Sequence, residues 1–230
     1  MRVSAVIPAL NEEVSIGAVV RSIPAHLVSE IVVVDNGSTD VTAARALEAG
    51  ARVVREPLRG YGRACRAGVE AISPHAEVVV FLDGDGSDCP EVMGRLLAPI
   101  AAGTHDFVIG SRVRGEREPG SMNAAQIFGG KLAGACLQFL YGVRYTDMCP
   151  LRAIRRDALV SLGMRDETYG WNLEMQMKAA RRGLRILELP VPYRRRRGGE
   201  SKVSGDLVGT ARASFRIVWT LARVALERRP

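Results

Sequence analysis

Three aspartates that follow a buried apolar run are the side chains of this sequence best suited to chemistry. Asp83, Asp85 and Asp88 stand in the stretch FLDGDGSDCPE, directly after VVVF. Carboxylates this close repel one another unless a cation or water lies among them. Because only a glycine separates Asp83 from Asp85, both side chains can turn toward one hard divalent cation, Mg²⁺ or Mn²⁺. The alternative is an ordinary acidic turn in which Asp88 caps the next helix, and the position after a buried strand favours the metal site.

The elements that must hold these aspartates alternate along the first half of the chain. Short apolar, β-branched runs predict strands, and the segments between them have the spacing of helices. Runs that are apolar at every position are typical of parallel strands buried on both faces. The pattern predicts an α/β fold with a mostly parallel sheet flanked by helices. The predicted strands are RVSAVIP, EIVVVD, ARVVRE, AEVVVFLD and HDFVIGS.

Two predicted helices carry cap signals, and the second half of the chain is less regular. NEEVSIGAVVRSI predicts a helix with Asn11 as N-cap, and DVTAARALEAG predicts one with Asp40 as N-cap and Gly50 as its end. Further along, two segments predict helices and one predicts a strand. These are RRDALVSLG, WNLEMQMKAARRG and LRILELPVPYR.

Polar clusters follow three of the predicted strands. They span residues 8–13, 35–40 and 83–88. Ligands of open α/β sheets bind beyond the carboxyl ends of the strands, so these clusters converge on one predicted site. Turn chemistry explains Gly37 and Asp40, but Asp35 is placed to accept a hydrogen bond from a ligand.

The basic charge of the chain belongs to its last 50 residues. The 230 residues suit one domain with a modest extension and carry a net charge of +7. Residues 181–230 hold 13 basic and 4 acidic side chains, which predicts an anionic partner. Within them, residues 206–230 predict an amphipathic helix with arginines on one face. That helix either lies on an anionic membrane surface or packs on the domain.

The composition also argues against several other classes. Four widely spaced cysteines without a CxxC pair do not predict a zinc site or disulfides. GYGRAC lacks the last glycine of a dinucleotide fingerprint. Aromatic residues do not alternate with the basic run, so no nucleic-acid partner is expected. A nucleotidyltransferase would need a glycine-rich loop where PALNEE stands. With neither a signal peptide nor a long apolar span, we expect a cytoplasmic protein, with peripheral attachment to the inner face of the cell membrane as an open alternative.

Eight motifs in order resemble those of the family 2 glycosyltransferases with a GT-A fold. The chain is most similar to the branch with dolichyl-phosphate mannosyltransferase and bacterial polyprenyl-phosphate glycosyltransferases. The resemblance implies a GT-A domain over residues 1–205, with a nucleotide-sugar half (1–115) and an acceptor half (116–205), before the helix of 206–230. The motifs are AVIPALNEE, VVVDNGSTD, PLRGYGRACRAG, FLDGDGSDCPE, VIGSR, TDMCPLRAI, NLEMQMKA and GGESK.

The resemblance also implies roles for individual residues. Metal binding falls to Asp83 and Asp85. Catalytic roles fall to Asp85, Asp147, Glu174, Arg112 and Lys202. Nucleotide-sugar binding falls to Pro8, Ala9, Asn11, Glu12, Asp35, Asp83, Arg152, Arg196 and Ser201. Read from the residues alone, the RRRRGGESK run is either a phosphate-binding loop or a solvated basic loop, and Glu174 is either a site acid or a surface glutamate.

The implied reaction is an inverting transfer of a hexose from a nucleotide-diphosphate sugar of the UDP-glucose or GDP-mannose type. A bound Mg²⁺ or Mn²⁺ would neutralise the leaving group. If the acceptor is a polyprenyl phosphate, it is already anionic and needs no base. If the acceptor is a soluble hydroxyl, Asp147 or Glu174 is the candidate base. A sugar nucleotidyltransferase is the less favoured alternative.

Overall fold

A computed structural model describes residues 1–198, 219, 220, 223 and 224. Its centre is one seven-stranded sheet in the order β3-β2-β1-β4-β6-β5-β7. The strands are β1 (Val3–Ala9), β2 (Glu30–Asp35), β3 (Arg52–Arg55), β4 (Val78–Phe81), β5 (Phe107–Ser111), β6 (Arg152–Arg155) and β7 (Ile186–Pro190).

Helices connect most of these strands. They are α1 (Ile16–Ser22), α2 (Thr42–Glu48), α3 (Tyr61–Ala71), α4 (Met93–Ala101), α5 (Ala124–Tyr141), α6 (Arg156–Leu162) and α7 (Trp171–Arg181), with a short 3-10 helix at Pro90–Val92 before α4. Both helices and the strand predicted for the second half are confirmed as α6, α7 and β7.

The sheet is mostly parallel, as the apolar runs predict. Strands β1 to β4 pair in parallel, and so do β5 and β7. Strand β6 runs antiparallel to both of its neighbours, β4 and β5. The sequence analysis did not predict β6, because its four residues, RAIR, are too few to show a strand period.

The core forms where the helices cover the continuous apolar strands. All seven residues of β1 are buried, which is the pattern of a strand covered on both faces. Helix α3 approaches this sheet so closely that a Cβ at Gly68 would collide with Val6. Close packing of α3 places its first turn beside the carboxyl ends of β1 and β2.

The first helix starts later than the sequence predicts. Asn11 was expected to be its N-cap, but α1 begins at Ile16. Asn11 instead adopts a left-handed conformation with φ of 52°. Its side-chain oxygen accepts the N–H of Thr39 at 2.8 Å, and its own N–H donates to Ser38. Asn11 therefore joins the loop after β1 to the loop after β2. Asp40 was expected to be the N-cap of α2, but Val41 occupies that position. Asp40 lies one residue earlier and accepts the N–H of Thr42.

Strand register brings the predicted polar clusters to one edge. Ala9 at the end of β1 pairs with Asp35 at the end of β2, and Val6 pairs with Phe81 at the end of β4. The loops after these parallel strands therefore leave the sheet on the same side.

The C-terminal helix lies largely outside the described residues. Residues 219, 220, 223 and 224 are described and are helical. Thr220 and Val224 are fully buried, whereas Trp219 is 52% exposed. This part of the segment packs on the domain. Among the helices that the structure describes, none has the length and apolarity needed to cross a bilayer.

Candidate active site

A cavity of about 990 Å³ opens at the carboxyl edge of the sheet. One wall comes from the loops after β1, β2 and β4 and from the start of α3. The rest of the lining comes from residues 120–129, 147–150, 168–173 and 193–196. A volume of this order suits a ligand the size of a nucleotide sugar.

The acidic cluster of Asp83, Asp85 and Asp88 forms part of this cavity. Tyr61 donates its hydroxyl to Asp83 at 3.1 Å, and the N–H of Asp83 donates to Asp88 at 2.9 Å. The N–H of Ser87 donates to Asp85 at 2.9 Å. Burial, together with the nearby charges of Asp88 and Asp85, raises the pKa of Asp83 well above its usual range. Burial also raises the pKa of Asp88, to about 7.

The donor set of this cluster fits a divalent cation that also binds phosphate. Mg²⁺ is usually held by one or two carboxylates and completes its shell with water and substrate phosphates. Asp83 and Asp85 both line the cavity, and the buried Oδ1 of Asp88 has no hydrogen-bond partner among the described residues. Within the described part of the chain no group of three His, Cys, Asp or Glu side chains is arranged as a closed metal site. The arrangement suits an open site shared with a ligand.

The raised pKa values predict an unusual pH dependence for the metal-free protein. Between about pH 4 and pH 7 the folded state holds a proton on Asp88 that the unfolded state releases, so stability falls as pH rises. The raised pKa of Asp83 acts in the same direction. We expect a loss on the order of 2–4 kcal/mol in the free energy of unfolding. Thermal unfolding in EDTA at pH 5.5 and pH 8 measures it.

Two controls belong to this measurement. Mn²⁺ should raise Tm more at pH 8 than at pH 5.5, because the charged carboxylates bind it better. Asp88→Asn should flatten the pH dependence. If Asp88→Asn leaves the pH dependence of Tm unchanged, the buried carboxylate is not its source.

Arg196 joins two acids from different loops of the cavity. Its guanidinium lies 2.9 Å from Glu12 and 3.2 Å from Asp85. The three residues come from the loops after β1, β4 and β7, so only the fold brings them together. Arg195 and the exposed Arg59 also line the cavity. These arginines give an anionic ligand such as a pyrophosphate a cationic wall.

A buried ion pair between Arg112 and Asp147 lies deeper in the cavity. Nε and Nη2 of Arg112 each donate to Asp147 at 2.7 Å, and the N–H of Arg112 also donates to it at 2.9 Å. The guanidinium stacks over the ring of Tyr193. Burial alone would raise the pKa of Asp147, but Arg112 more than offsets this and lowers it. A carboxylate held in this way is a weak base.

The structure does not bring Glu174 or Arg152 into the cavity. Glu174 is fully buried and pairs with Lys178 at 2.8 Å, and it accepts the N–H groups of Arg165 and Asp166. Fully buried Arg152 donates to the carbonyl oxygens of Cys149, Pro150 and Asn172. Both residues hold loops that line the cavity and do not themselves reach a ligand there.

Some of the predicted nucleotide-binding residues line the cavity, and others do not. Pro8, Ala9 and Glu12 line the cavity, whereas Asn11 and Asp35 do not. Asp35 is buried and accepts the N–H of Ser38 at 2.9 Å. Ser201 and Lys202, predicted to contact phosphate, lie outside the described residues.

Polar residues of the cavity that sequence reasoning missed include Asn36, Arg59, Tyr61 and Tyr193. Asn36 donates to the carbonyl oxygens of Glu56 and Leu58 and accepts the N–H of Gly60, which shapes the loop that carries Arg59. The hydroxyl of Tyr193 lies 3.0 Å from that of Ser87. The motifs VVVDNGSTD and PLRGYGRACRAG contain the first three residues. For Tyr193 the sequence carries no comparable signal.

An open α/β sheet with an acidic cavity at its carboxyl edge is typical of the class of α/β proteins that bind their ligands beyond the ends of the strands. Within that class, residues 4–163 match Glycosyl transferase family 2. The chain belongs to this family, and it is a glycosyltransferase.

Two sequence relatives span almost the whole chain. An uncharacterised glycosyltransferase of Mycobacterium tuberculosis is 40% identical over 210 residues, which is 90% of this chain and 92% of the relative. An undecaprenyl-phosphate mannosyltransferase of Micrococcus luteus is 35% identical over 92% of this chain and 91% of its own.

A solved structure confirms the GT-A fold. Glucosyl-3-phosphoglycerate synthase from Mycobacterium tuberculosis, in complex with Mn²⁺, UDP and glucosyl-3-phosphoglycerate, is similar with a TM-score of 0.80 and 28% identity. The similarity covers 97% of this chain and 80% of the synthase. The synthase has also been solved with Mg²⁺ and UDP.

Proposed function

We propose that this protein moves a hexose from a nucleotide-diphosphate sugar to a polyprenyl phosphate, with inversion and with Mg²⁺ or Mn²⁺ as cofactor. The observation that carries this proposal is an exposed apolar face on α5, whose first turns line the cavity. The donor half of the proposal rests on the acidic cluster within residues 1–115 and on the cationic wall, to which Arg195 and Arg196 of residues 116–205 also contribute. The acceptor half (residues 116–205) rests on α5.

The apolar face of α5 consists of Phe128, Leu132, Phe139 and Leu140. They are 68%, 46%, 90% and 45% exposed. The first three are four and seven residues apart and share one side of the helix. Near the N-terminus, Gln126 and Gly129 line the cavity. Exposed aromatic and aliphatic side chains beside a substrate cavity suit an acceptor with a long apolar chain.

The state of the two candidate bases also supports an anionic acceptor. Asp147 is held by Arg112, and Glu174 is buried beside Lys178. A hydroxyl acceptor needs a base to take its proton, whereas a phosphate oxygen attacks without one. The mannosyltransferase relative acts on undecaprenyl phosphate by its name, which agrees with this proposal.

In the proposed mechanism Asp83 and Asp85 would hold the cation, which would supply positive charge to stabilise the departing nucleoside diphosphate. Arg196 bridges Glu12 and Asp85 and keeps the loops after β1 and β4 in register around the pyrophosphate. Arg112 keeps its side chain buried against Asp147 and Tyr193, so the donor meets a preorganised cation. Pro8 and Ala9 offer an apolar surface to the nucleoside.

A soluble acceptor is the second candidate. The solved synthase holds glucosyl-3-phosphoglycerate, and its fold matches 97% of this chain. Such an acceptor would use the same cavity without contact to the exposed part of α5.

A direct assay separates the two candidates. The protein is incubated with labelled UDP-glucose or GDP-mannose and Mn²⁺, and with undecaprenyl phosphate in detergent or 3-phosphoglycerate in buffer. We expect label to enter the butanol-soluble product. Label that enters only a water-soluble product of 3-phosphoglycerate would contradict the lipid acceptor.

Substitution of the α5 face provides a further prediction. Phe139→Ser should raise KM for undecaprenyl phosphate about tenfold. An exposed apolar side chain that becomes buried against the lipid chain contributes roughly 1.5–3 kcal/mol to binding. Hydrolysis of the nucleotide sugar in water should not change. Val160→Ser, at a 62% exposed position on α6, is the matched control. Equal effects of the two substitutions would mean that α5 does not contact the acceptor.

The same face could rest on a membrane that carries the acceptor. We propose peripheral attachment at the inner face of the cell membrane. Flotation with anionic liposomes, with and without Phe139→Ser, tests this part.

A further inference from the structure

One wall of the cavity depends on a part of the chain far away in sequence. The wall segment, residues 165–170, connects α6 to α7, and its Thr168, Tyr169 and Gly170 line the cavity. On its outer side it meets α3. The carbonyl oxygen of Glu167 accepts the N–H of Arg63 at 3.1 Å, and its carboxylate pairs with Arg66 at 3.2 Å.

Asp166 holds the wall segment from within. Its Oδ1 accepts the N–H of Thr168 at 2.8 Å and the hydroxyl of the same residue at 3.0 Å. Its own N–H donates to Glu174 at 2.6 Å. Asp166 is only 6% exposed, so these bonds are shielded from water. The position of Thr168 in the wall follows from the position of the Asp166 carboxylate.

The C-terminal segment supplies the other partners of that carboxylate. Oδ2 of Asp166 lies 3.3 Å from the hydroxyl of Thr220 and 3.3 Å from Nη2 of Arg223. Arg223 also lies 3.3 Å from Glu174. The next residue, Val224, is fully buried, and its carbonyl oxygen accepts from Arg181 on α7 at 2.9 Å.

Arg223 compensates the negative charge of two buried carboxylates, Asp166 and Glu174. Lys178 pairs with Glu174 at 2.8 Å, but within the described residues Arg223 is the one cation that forms an ion pair with Asp166. Removal of one partner of a buried pair leaves an uncompensated charge, which must find water or move. Asp166 can move only with the wall segment, because its carboxylate is bonded to Thr168.

The packing around Gly170 shows how tight this contact is. A Cβ at Gly170 would collide with both the carboxylate of Asp166 and the hydroxyl of Thr220. The wall, Asp166 and the C-terminal segment therefore meet at one point with no room between them.

We propose that Arg223 is a positioning residue that fixes the Thr168–Gly170 wall of the active site through Asp166. The C-terminal segment is then a structural part of the active site. Its Arg223 points into the domain, toward Asp166 and Glu174.

Hydrogen–deuterium exchange tests this inference without any assumption about the reaction. In Arg223→Met, amides of residues 165–170 should exchange about tenfold faster, while those of β1, β2 and β4 keep their native rates. Arg223→Lys should stay within about threefold of the native rates, since it keeps the charge. Arg45→Met, at an exposed ion pair on α2, is the control and should change nothing in the wall.

Two outcomes would overturn the inference. One is native exchange in residues 165–170 of Arg223→Met, and the other is an equal rise across the whole chain, which would show a purely global effect. If Arg223→Met does not fold, Thr220→Val removes one hydrogen bond to Asp166 at nearly constant volume. It should raise exchange in the wall segment about threefold, and no rise would equally overturn the inference.

Measurement of KM and kcat, which rests on the proposed function, provides a second test. Arg223→Met should raise KM for the nucleotide sugar about tenfold with a smaller change in kcat, and the effect should shrink in an Asp166→Asn background because the two residues act as a unit. Additive effects would mean that Arg223 does not act through Asp166. Absence of any turnover in the native protein would refute the proposed function. It would not affect the conclusion drawn from hydrogen–deuterium exchange.

Discussion

The substitution Asp85→Asn is expected to lower kcat about a thousandfold while the protein stays folded. Loss of one carboxylate weakens the cation that neutralises the leaving diphosphate, and about 4 kcal/mol of transition-state stabilisation corresponds to this factor. The fold should persist because the substitution removes one of three neighbouring carboxyl groups and so lowers the repulsion among them. Asparagine keeps an oxygen that can accept the N–H of Ser87.

The measurement is kcat for transfer at saturating donor as a function of Mn²⁺ concentration, with Tm measured in parallel. Glu91→Gln is the matched control, because this half-exposed acid lies in the short 3-10 helix directly after the cluster and pairs with Arg194 outside it. It should keep kcat within about twofold of native. Activity of Asp85→Asn close to native, or native activity of the unsubstituted protein in EDTA, would refute the metal role.

The substitution Arg112→Met is expected to lower the free energy of unfolding by about 3–5 kcal/mol, because it leaves the Asp147 carboxylate buried and unpaired. The side chains of Arg112 and Asp147 are 11% and 1% exposed. Methionine fills a similar volume but cannot donate the side-chain hydrogen bonds that Asp147 accepts. Transfer activity should fall as well, since Arg112 and Asp147 both line the cavity.

The chain contains a matched control for this effect. Arg185 binds Asp106 through the same three donors, its N–H, Nε and Nη2. This pair is 53% and 18% exposed, so water can replace the lost partner. Arg185→Met should therefore cost no more than about 1 kcal/mol. Because the two ion pairs have the same donors and differ in exposure, the comparison measures the effect of burial on stability.

Chemical denaturation of the two variants measures the difference. The double variant Arg112→Met with Asp147→Asn should recover part of the stability lost by Arg112→Met, because the unpaired charge is gone. Equal losses of unfolding free energy for Arg112→Met and Arg185→Met would show that burial of the Arg112–Asp147 pair does not increase the cost of breaking it.

Much of the fold was accessible from local sequence patterns. Continuous apolar runs predicted β1 to β5 and a mostly parallel sheet, since a strand covered on both faces needs no polar position. The motif FLDGDGSDCPE predicted the acidic cluster correctly, because the residues lie within six positions of one another. Cap positions were less secure: Asn11 was expected at the start of α1 but binds the loop after β2 instead.

Roles that depend on distant partners could not be read in the same way. Glu174 was a candidate base, yet it is buried against Lys178 and Arg223. Arg152 was expected at the nucleotide and instead binds three backbone carbonyl groups. A charged residue looks the same in sequence whether it faces a ligand, water or a buried partner.

The sequence by itself determined the family, through the resemblance of its eight motifs. It also determined the sheet and the acids at its edge, because these follow from periodicity or from residues close together in the chain. Only the tertiary structure decided which charges are paired and which face the cavity. The pairs of Arg112 with Asp147 and of Arg223 with Asp166 span 35 and 57 positions. A pattern that repeats every two or four residues specifies the buried face of an element. It does not specify the element that packs against that face.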